Sequence, residues 1–108
     1  MPHRPEQMSD ALHAELAQLV NREVVIPNSL ITITEVRLSP DLARAQIFIS
    51  VLPDKFFGTA LRELRKHSGE LAKTIGKRLK WYKMPHFVWA IDSTEKEAAA
   101  LEEVFKQL

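Results

Sequence analysis

Leu30-Ile31-Thr32-Ile33-Thr34-Glu35-Val36-Arg37-Leu38, then Ser39-Pro40-Asp41-Leu42, then Ala43-Arg44-Ala45-Gln46-Ile47-Phe48-Ile49-Ser50-Val51-Leu52: this stretch decides the fold. The first segment is rich in β-branched residues and reads as a strand. Its apolar parity shifts between the Ile31/Ile33 pair and the Val36/Leu38 pair. Strand side chains alternate between faces, so a bulge or a change of buried face is expected near Thr34. Ser39-Pro40-Asp41-Leu42 is a turn signal. In the second segment Ala45, Ile47, Ile49 and Val51 share one face. The short connection makes the pair an antiparallel hairpin.

Upstream, Leu12, Leu16, Leu19 and Val20 recur at helical spacing and form one apolar stripe. Ser9 or Asp10 can cap that helix by accepting hydrogen bonds from its free N–H groups. Residues 1–8, with two prolines, read as a flexible lead-in, and residues 9–108 as a single domain. The helix should end near Arg22–Val24, before the turn signal Pro27-Asn28-Ser29. Downstream, Thr59 can cap a helix through Ala60, Leu61 and Leu64. A second helical stretch places Leu71, Ile75 and Leu79 on one face. Gly69 interrupts the pattern, and glycine in a helix costs ~1 kcal/mol relative to alanine, so a kink or a junction between two helices is expected there. Pro85 blocks further helix, and His86 to Ile91 reads as a third strand. Thr94-x-x-Glu97 is a capping box, with Leu101, Val104, Phe105 and Leu108 marking a terminal helix. The order is helix, strand, strand, helix–kink–helix, strand, helix: an α+β domain.

The chain has 108 residues and 45% apolar content, enough for one folded core. It has no cysteine, which excludes disulfides, thiolate metal sites and a cysteine nucleophile. No apolar run approaches the ~18–20 residues that span a bilayer. Met1-Pro2-His3-Arg4-Pro5-Glu6 shows neither an apolar signal core nor an Arg/Ser-rich transit pattern. A cytoplasmic protein without a membrane partner is expected.

No catalytic constellation is visible. His3, His13, His67 and His86 have no metal-site spacing, and the carboxylates are scattered over capping and solvent-facing positions. Asp92, after the third strand, reads as a turn or cap residue. No Gly-rich phosphate loop and no nucleophile elbow occurs. The expectation is a non-enzyme with no metal and no cofactor.

Charge is where the sequence speaks. The net charge is only +1. Residues 62–83 nevertheless carry eight basic side chains and two acidic ones, so a segment of +6 sits in a chain that is otherwise −5. The basic residues are Arg62, Arg65, Lys66, Lys73, Lys77, Arg78, Lys80 and Lys83. With Leu71, Ile75 and Leu79 facing the core, Lys73, Lys77 and Lys80 share a solvent-facing sector, with Arg78 at its flank. Trp81 and Tyr82 lie beside them. Interleaved cations and aromatics can neutralise phosphates and stack bases together. A solvated basic helix with its aromatics in the core has the same spacing. Gly69 and Gly76 permit close helix packing or close approach of a ligand to the backbone, packing being the default.

The hairpin run from Ile31 to Ala45 resembles that of the ribosome-binding factor A family. So do Asn21-Arg22-Glu23-Val24, the run from Ser68 to Lys73, Lys77-Arg78-Leu79-Lys80, Met84-Pro85-His86-Phe87 and Asp92-Ser93-Thr94. The resemblance covers nearly the whole chain in the right order. It implies a type-II KH-like fold, a three-stranded sheet with helices on one face. It also implies an Ala-x-Gly kink between the two central helices, in place of the Gly-x-x-Gly loop of ordinary KH domains. Here the matching residues are His67-Ser68-Gly69, with histidine at the alanine position, and Ile26-Pro27 stands where the family usually shows Asp-Pro.

The role the resemblance implies is non-catalytic. A bacterial, cytoplasmic assembly factor, linked to cold adaptation, binds the small ribosomal subunit and its rRNA during late maturation and rRNA processing. Other assembly factors are possible partners, and a monomer is expected. The expected RNA-binding residues are Arg65, Lys66, Lys73, Lys77, Arg78, Lys80 and Lys83, with Ser68 and Gly69 at the kink and Trp81 and Tyr82 as base-stacking candidates. The alternative is a generic KH-type single-stranded RNA-binding protein, which a true Gly-x-x-Gly clamp would favour, and none is present.

Overall fold

The computed structural model describes residues 5–92. Helix α1 (Pro5–Glu23) leads into strand β1 (Leu30–Leu38) and strand β2 (Arg44–Leu52). A 3-10 turn (Asp54–Phe56) opens helix α2 (Phe57–Leu79), and strand β3 (His86–Ile91) follows. β1 and β2 pair antiparallel, and β2 and β3 pair parallel, giving a mixed sheet of order β1-β2-β3. Parallel neighbours need a long crossover, and α2 supplies it.

The parity shift in β1 is a bulge. The register slips between Ile33 and Glu35, leaving Thr34 without a partner on β2. The extra residue restores alternation, so Ile31, Ile33 and Val36 all turn to the same buried face. The helix above holds the bulge: the His13 ring Nε2–H on α1 donates to the Ile33 carbonyl at 2.9 Å. From β2 the core receives Ala45, Ile47, Ile49 and Val51, and from β3 Phe87 and Trp89. Leu12, Leu16, Leu19 and Val20 of α1 and Ala60, Leu64, Leu71 and Ile75 of α2 close over them. Both helices therefore cover one face of the sheet, and the other carries exposed Thr32, Glu35, Arg37, Arg44, Gln46, His86 and Val88.

Three expectations are corrected. α1 begins at Pro5, ahead of Ser9 and Asp10, so residues 5–8 are helix rather than lead-in. Proline suits a first turn because its fixed φ is helical and its missing N–H needs no partner there, and Glu6 adds a favourable charge. α2 begins at Phe57, so Thr59 lies inside it. The preceding 3-10 turn replaces a side-chain cap, with the Phe57 N–H bonded to the Asp54 carbonyl. Finally, α2 is one helix through Ser68 and Gly69, not two helices with a junction. Its buried residues before Gly69 (Ala60, Leu64) and after it (Leu71, Ile75) fall on a single face, so the sheet holds both halves in one register. The expected terminal helix with its Thr94-x-x-Glu97 box lies outside the described residues.

Ser68 fastens that register. Its hydroxyl donates to the Leu64 carbonyl at 2.8 Å and accepts the indole Nε1–H of Trp89 at 2.6 Å. The Trp89 ring meets Phe87 edge-on, with centroids 6.0 Å apart. Ser68→Ala leaves a buried indole N–H without an acceptor and should cost about 2 kcal/mol. A urea unfolding midpoint equal to that of the unsubstituted protein would show that this bond does not hold α2 to β3.

Candidate nucleic-acid interface

Because α2 is continuous, its polar residues keep one helical phase from end to end. At roughly 100° per residue, Arg62, Lys66, Lys73 and Lys77 fall within about 60° of one another, on the side opposite the buried stripe. The row is about 22 Å long. All four are exposed, and none is ion-paired among the described residues. Lys80 and Lys83 continue the cationic surface past the helix end and are also exposed.

The sequence-predicted residues divide. Lys66, Lys73 and Lys77 share the row, and exposed Lys80 and Lys83 follow it past the helix end. Arg65 sits to one side, over a hollow of about 240 Å³ between α2 and β3, shared with Ser68, His86 and Val88. Arg78 turns the other way, with its Nε 2.7 Å from the Glu15 carboxylate of α1, so its charge is already engaged in the fold. Trp81 is half-buried and packs on the core, while Tyr82 is fully exposed. Arg62 belongs to the row although the sequence reading did not select it. Its signal, the i, i+4 spacing to Lys66, lies wholly before Gly69 and is legible in the sequence.

The two glycines have different reasons. A side chain at Gly76 would meet the Met84 Cγ at 3.0 Å, so this glycine lets the segment before β3 close against α2. A side chain at Gly69 would meet nothing within 4 Å, and Gly69 is exposed. It lies on the cationic row between Lys66 and Lys73, a stretch of bare backbone where a ligand can come close.

Lys80 is a second residue placed against local preference. It ends α2 in the left-handed conformation (φ 57°, ψ 39°), where glycine is the usual occupant. The Trp81 N–H returns to the Gly76 carbonyl at 3.1 Å, which closes the helix end. A Cβ in this conformation costs roughly 1–2 kcal/mol.

Other arginines are less available. On the open sheet face Arg37 donates to Glu35 at 2.8 Å and stacks over Phe48 at 5.3 Å. The Glu35 hydrogen bond and charge hold its guanidinium above the ordinary arginine range. Arg44 lies near Asp41, whose carboxyl is held below the usual range by the Ser39 hydroxyl and the Ala43 N–H. Among the described residues, the row of exposed cations without an ion pair is on α2. Among the described residues no group of three or more His, Asp or Glu is placed to hold a metal, and no helix is long and apolar enough to cross a membrane.

If Gly69 and Lys80 serve a ligand rather than the fold, replacing them should stabilise the free protein. Gly69→Ala and Lys80→Gly should each add about 1 kcal/mol, read from urea unfolding. Destabilisation by either would show that the residue is there for packing.

A family model described as ribosome-binding factor A matches residues 4–105. The ribosome-binding factor A of Desulforamulus reducens is 31% identical over 110 residues, covering 100% of this chain and 92% of that protein. That of Opitutus terrae is 29% identical over 114 residues, covering 100% of this chain and 89% of that protein. The fold is similar to the crystal structure of ribosome-binding factor A from Thermus thermophilus, with a TM-score of 0.72 at 20% identity, over 82% of this chain and 97% of that one. It is also similar to a homology model of the Thermus thermophilus factor fitted into the cryo-EM map of its complex with the 30S subunit, with a TM-score of 0.63 at 22% identity, over 86% of this chain and 96% of that one. These two likenesses concern the fold, whereas the family-model match spans nearly the whole sequence. The chain belongs to the ribosome-binding factor A family.

Proposed function

We propose that this protein binds the small ribosomal subunit and its rRNA late in maturation, as a monomeric, non-catalytic factor of the bacterial cytoplasm, using the exposed face of α2. The observation that carries the reading is the unpaired row Arg62, Lys66, Lys73 and Lys77, extended by Lys80 and Lys83, in a member of this family. The row follows one strand: cations on successive turns neutralise phosphates, and bare Gly69 admits the backbone of the nucleic acid between Lys66 and Lys73. The hollow beside Arg65 and His86, against the edge of β3, can take a nucleotide that leaves the strand.

No turnover is needed. A surface that fits one rRNA conformer better than another shifts the RNA toward it, by no more than the difference in affinity. For a partly folded RNA that has competing pairings, a few kcal/mol of such preference is sufficient to change the population.

Co-sedimentation with purified small and large subunits across a salt series tests the proposal. Four neutralised phosphates give a slope of log affinity against log salt of roughly −3. A variant carrying Lys66→Glu, Lys73→Glu, Lys77→Glu and Lys80→Glu should lose most of the affinity and most of the slope, while Arg78→Gln should change the slope little. Equal binding to both subunits and to unrelated RNA would reduce the protein to a generic RNA binder, and an indifferent quadruple variant would place the interface elsewhere.

A further inference from the structure

Trp81 and Tyr82 are adjacent and have opposite fates. Trp81 packs against the core, and Tyr82 is 107% exposed. Among the described residues the Tyr82 side chain has no hydrogen bond and no ring contact. The loop that carries it is pinned on both sides. The Trp81 N–H is bonded to the Gly76 carbonyl, Met84 closes on Gly76, Pro85 is buried, and the His86 N–H is bonded to the Ala43 carbonyl at 2.9 Å. A phenol with two side-chain torsions on an anchored loop loses little entropy when a ligand covers it. Exposed Lys80 and Lys83 flank it, and Lys80 keeps its left-handed conformation where glycine would be less strained.

We propose that Tyr82 is a stacking platform for one unpaired RNA base, so that this surface takes a strand whose phosphates run along α2 and whose next nucleotide is unstacked, not a continuous duplex. The inference rests on the reading of α2 as an RNA surface. It is specific because a base inside an A-form helix has both faces covered by its neighbours, and only an unstacked one can offer a face to an aromatic ring. Lys80 and Lys83 then hold the phosphates on either side of the flipped base.

Two RNA hairpins with the same stem serve as probes. One carries a single-stranded 3′ extension of six nucleotides with 2-aminopurine in place of one base, and the other is blunt. Affinity is measured over a salt series for the full chain, Tyr82→Ala and Tyr82→Phe. Because Tyr82 is wholly exposed, unfolding midpoints should be alike in all three. The expected result is that Tyr82→Ala binds the extended hairpin about tenfold more weakly. Its salt slope should be unchanged, the 2-aminopurine fluorescence change should be lost, and Tyr82→Phe should behave as the parent. Tyr82→Ala affinity equal to the parent's, or an equal loss on the blunt hairpin, would overturn the stacking inference while leaving the lysine row in place. Absence of salt-dependent binding to either hairpin by the unsubstituted chain would overturn the RNA reading of α2 and this inference with it.

Discussion

The rotation of α2 about its own axis is the constraint on which the surface of this protein depends. A helix with one apolar stripe has one way to lie on a sheet, and here Ala60, Leu64, Leu71 and Ile75 set it. The stripe alone allows some roll. The Ser68 hydroxyl removes it by joining the Leu64 carbonyl on its own helix to the Trp89 indole on β3. Once that angle is fixed, the side chains opposite the stripe have no freedom to face anything but solvent. The row from Arg62 to Lys77 is therefore a product of core packing, since the residues that hold it outward lie on the far side of the helix.

Stability and binding pull apart at two positions on this surface. Gly69 gives up helix propensity without gaining a packing contact, and Lys80 holds a conformation that glycine adopts at less cost. Elsewhere most local choices agree with the fold, although Leu42 in the β1–β2 turn also holds a left-handed conformation, with φ 60°, away from this surface. Asn28, with φ 62°, is a residue type that tolerates the left-handed region, and Gly76 makes room for Met84. Departures from local preference that coincide with a cationic row have the form expected of a ligand surface, where the benefit appears only in the complex.

Much of the fold was legible in the sequence because it rests on short periodicities. The stripe Leu12, Leu16, Leu19 and Val20 lies wholly inside the core, the parity shift at Thr34 is a bulge, and β3 spans the residues that Pro85 and the apolar run delimit. The junction between two helices at Gly69 and the Thr59 cap failed for a common reason. Gly69 and Thr59 were weighed by local propensity, and tertiary packing outweighed it: a sheet that buries both halves of α2 offsets the ~1 kcal/mol that one glycine costs. Nor can spacing reveal which cations are already engaged. Arg78 meets Glu15 only because α1 and α2 lie side by side, and Trp81 and Tyr82 differ only through the three-dimensional course of the loop.

The central claim is that the exposed face of α2 meets the small subunit. Amine labelling of the lysines read by mass spectrometry, with the protein free and then bound to small subunits, tests it directly. Lys55, in the 3-10 turn beside Phe56, is the internal control. Lys66, Lys73, Lys77 and Lys80 should lose reactivity on binding while Lys55 keeps it. Shielding of Lys55 with the α2 lysines still reactive would contradict the account.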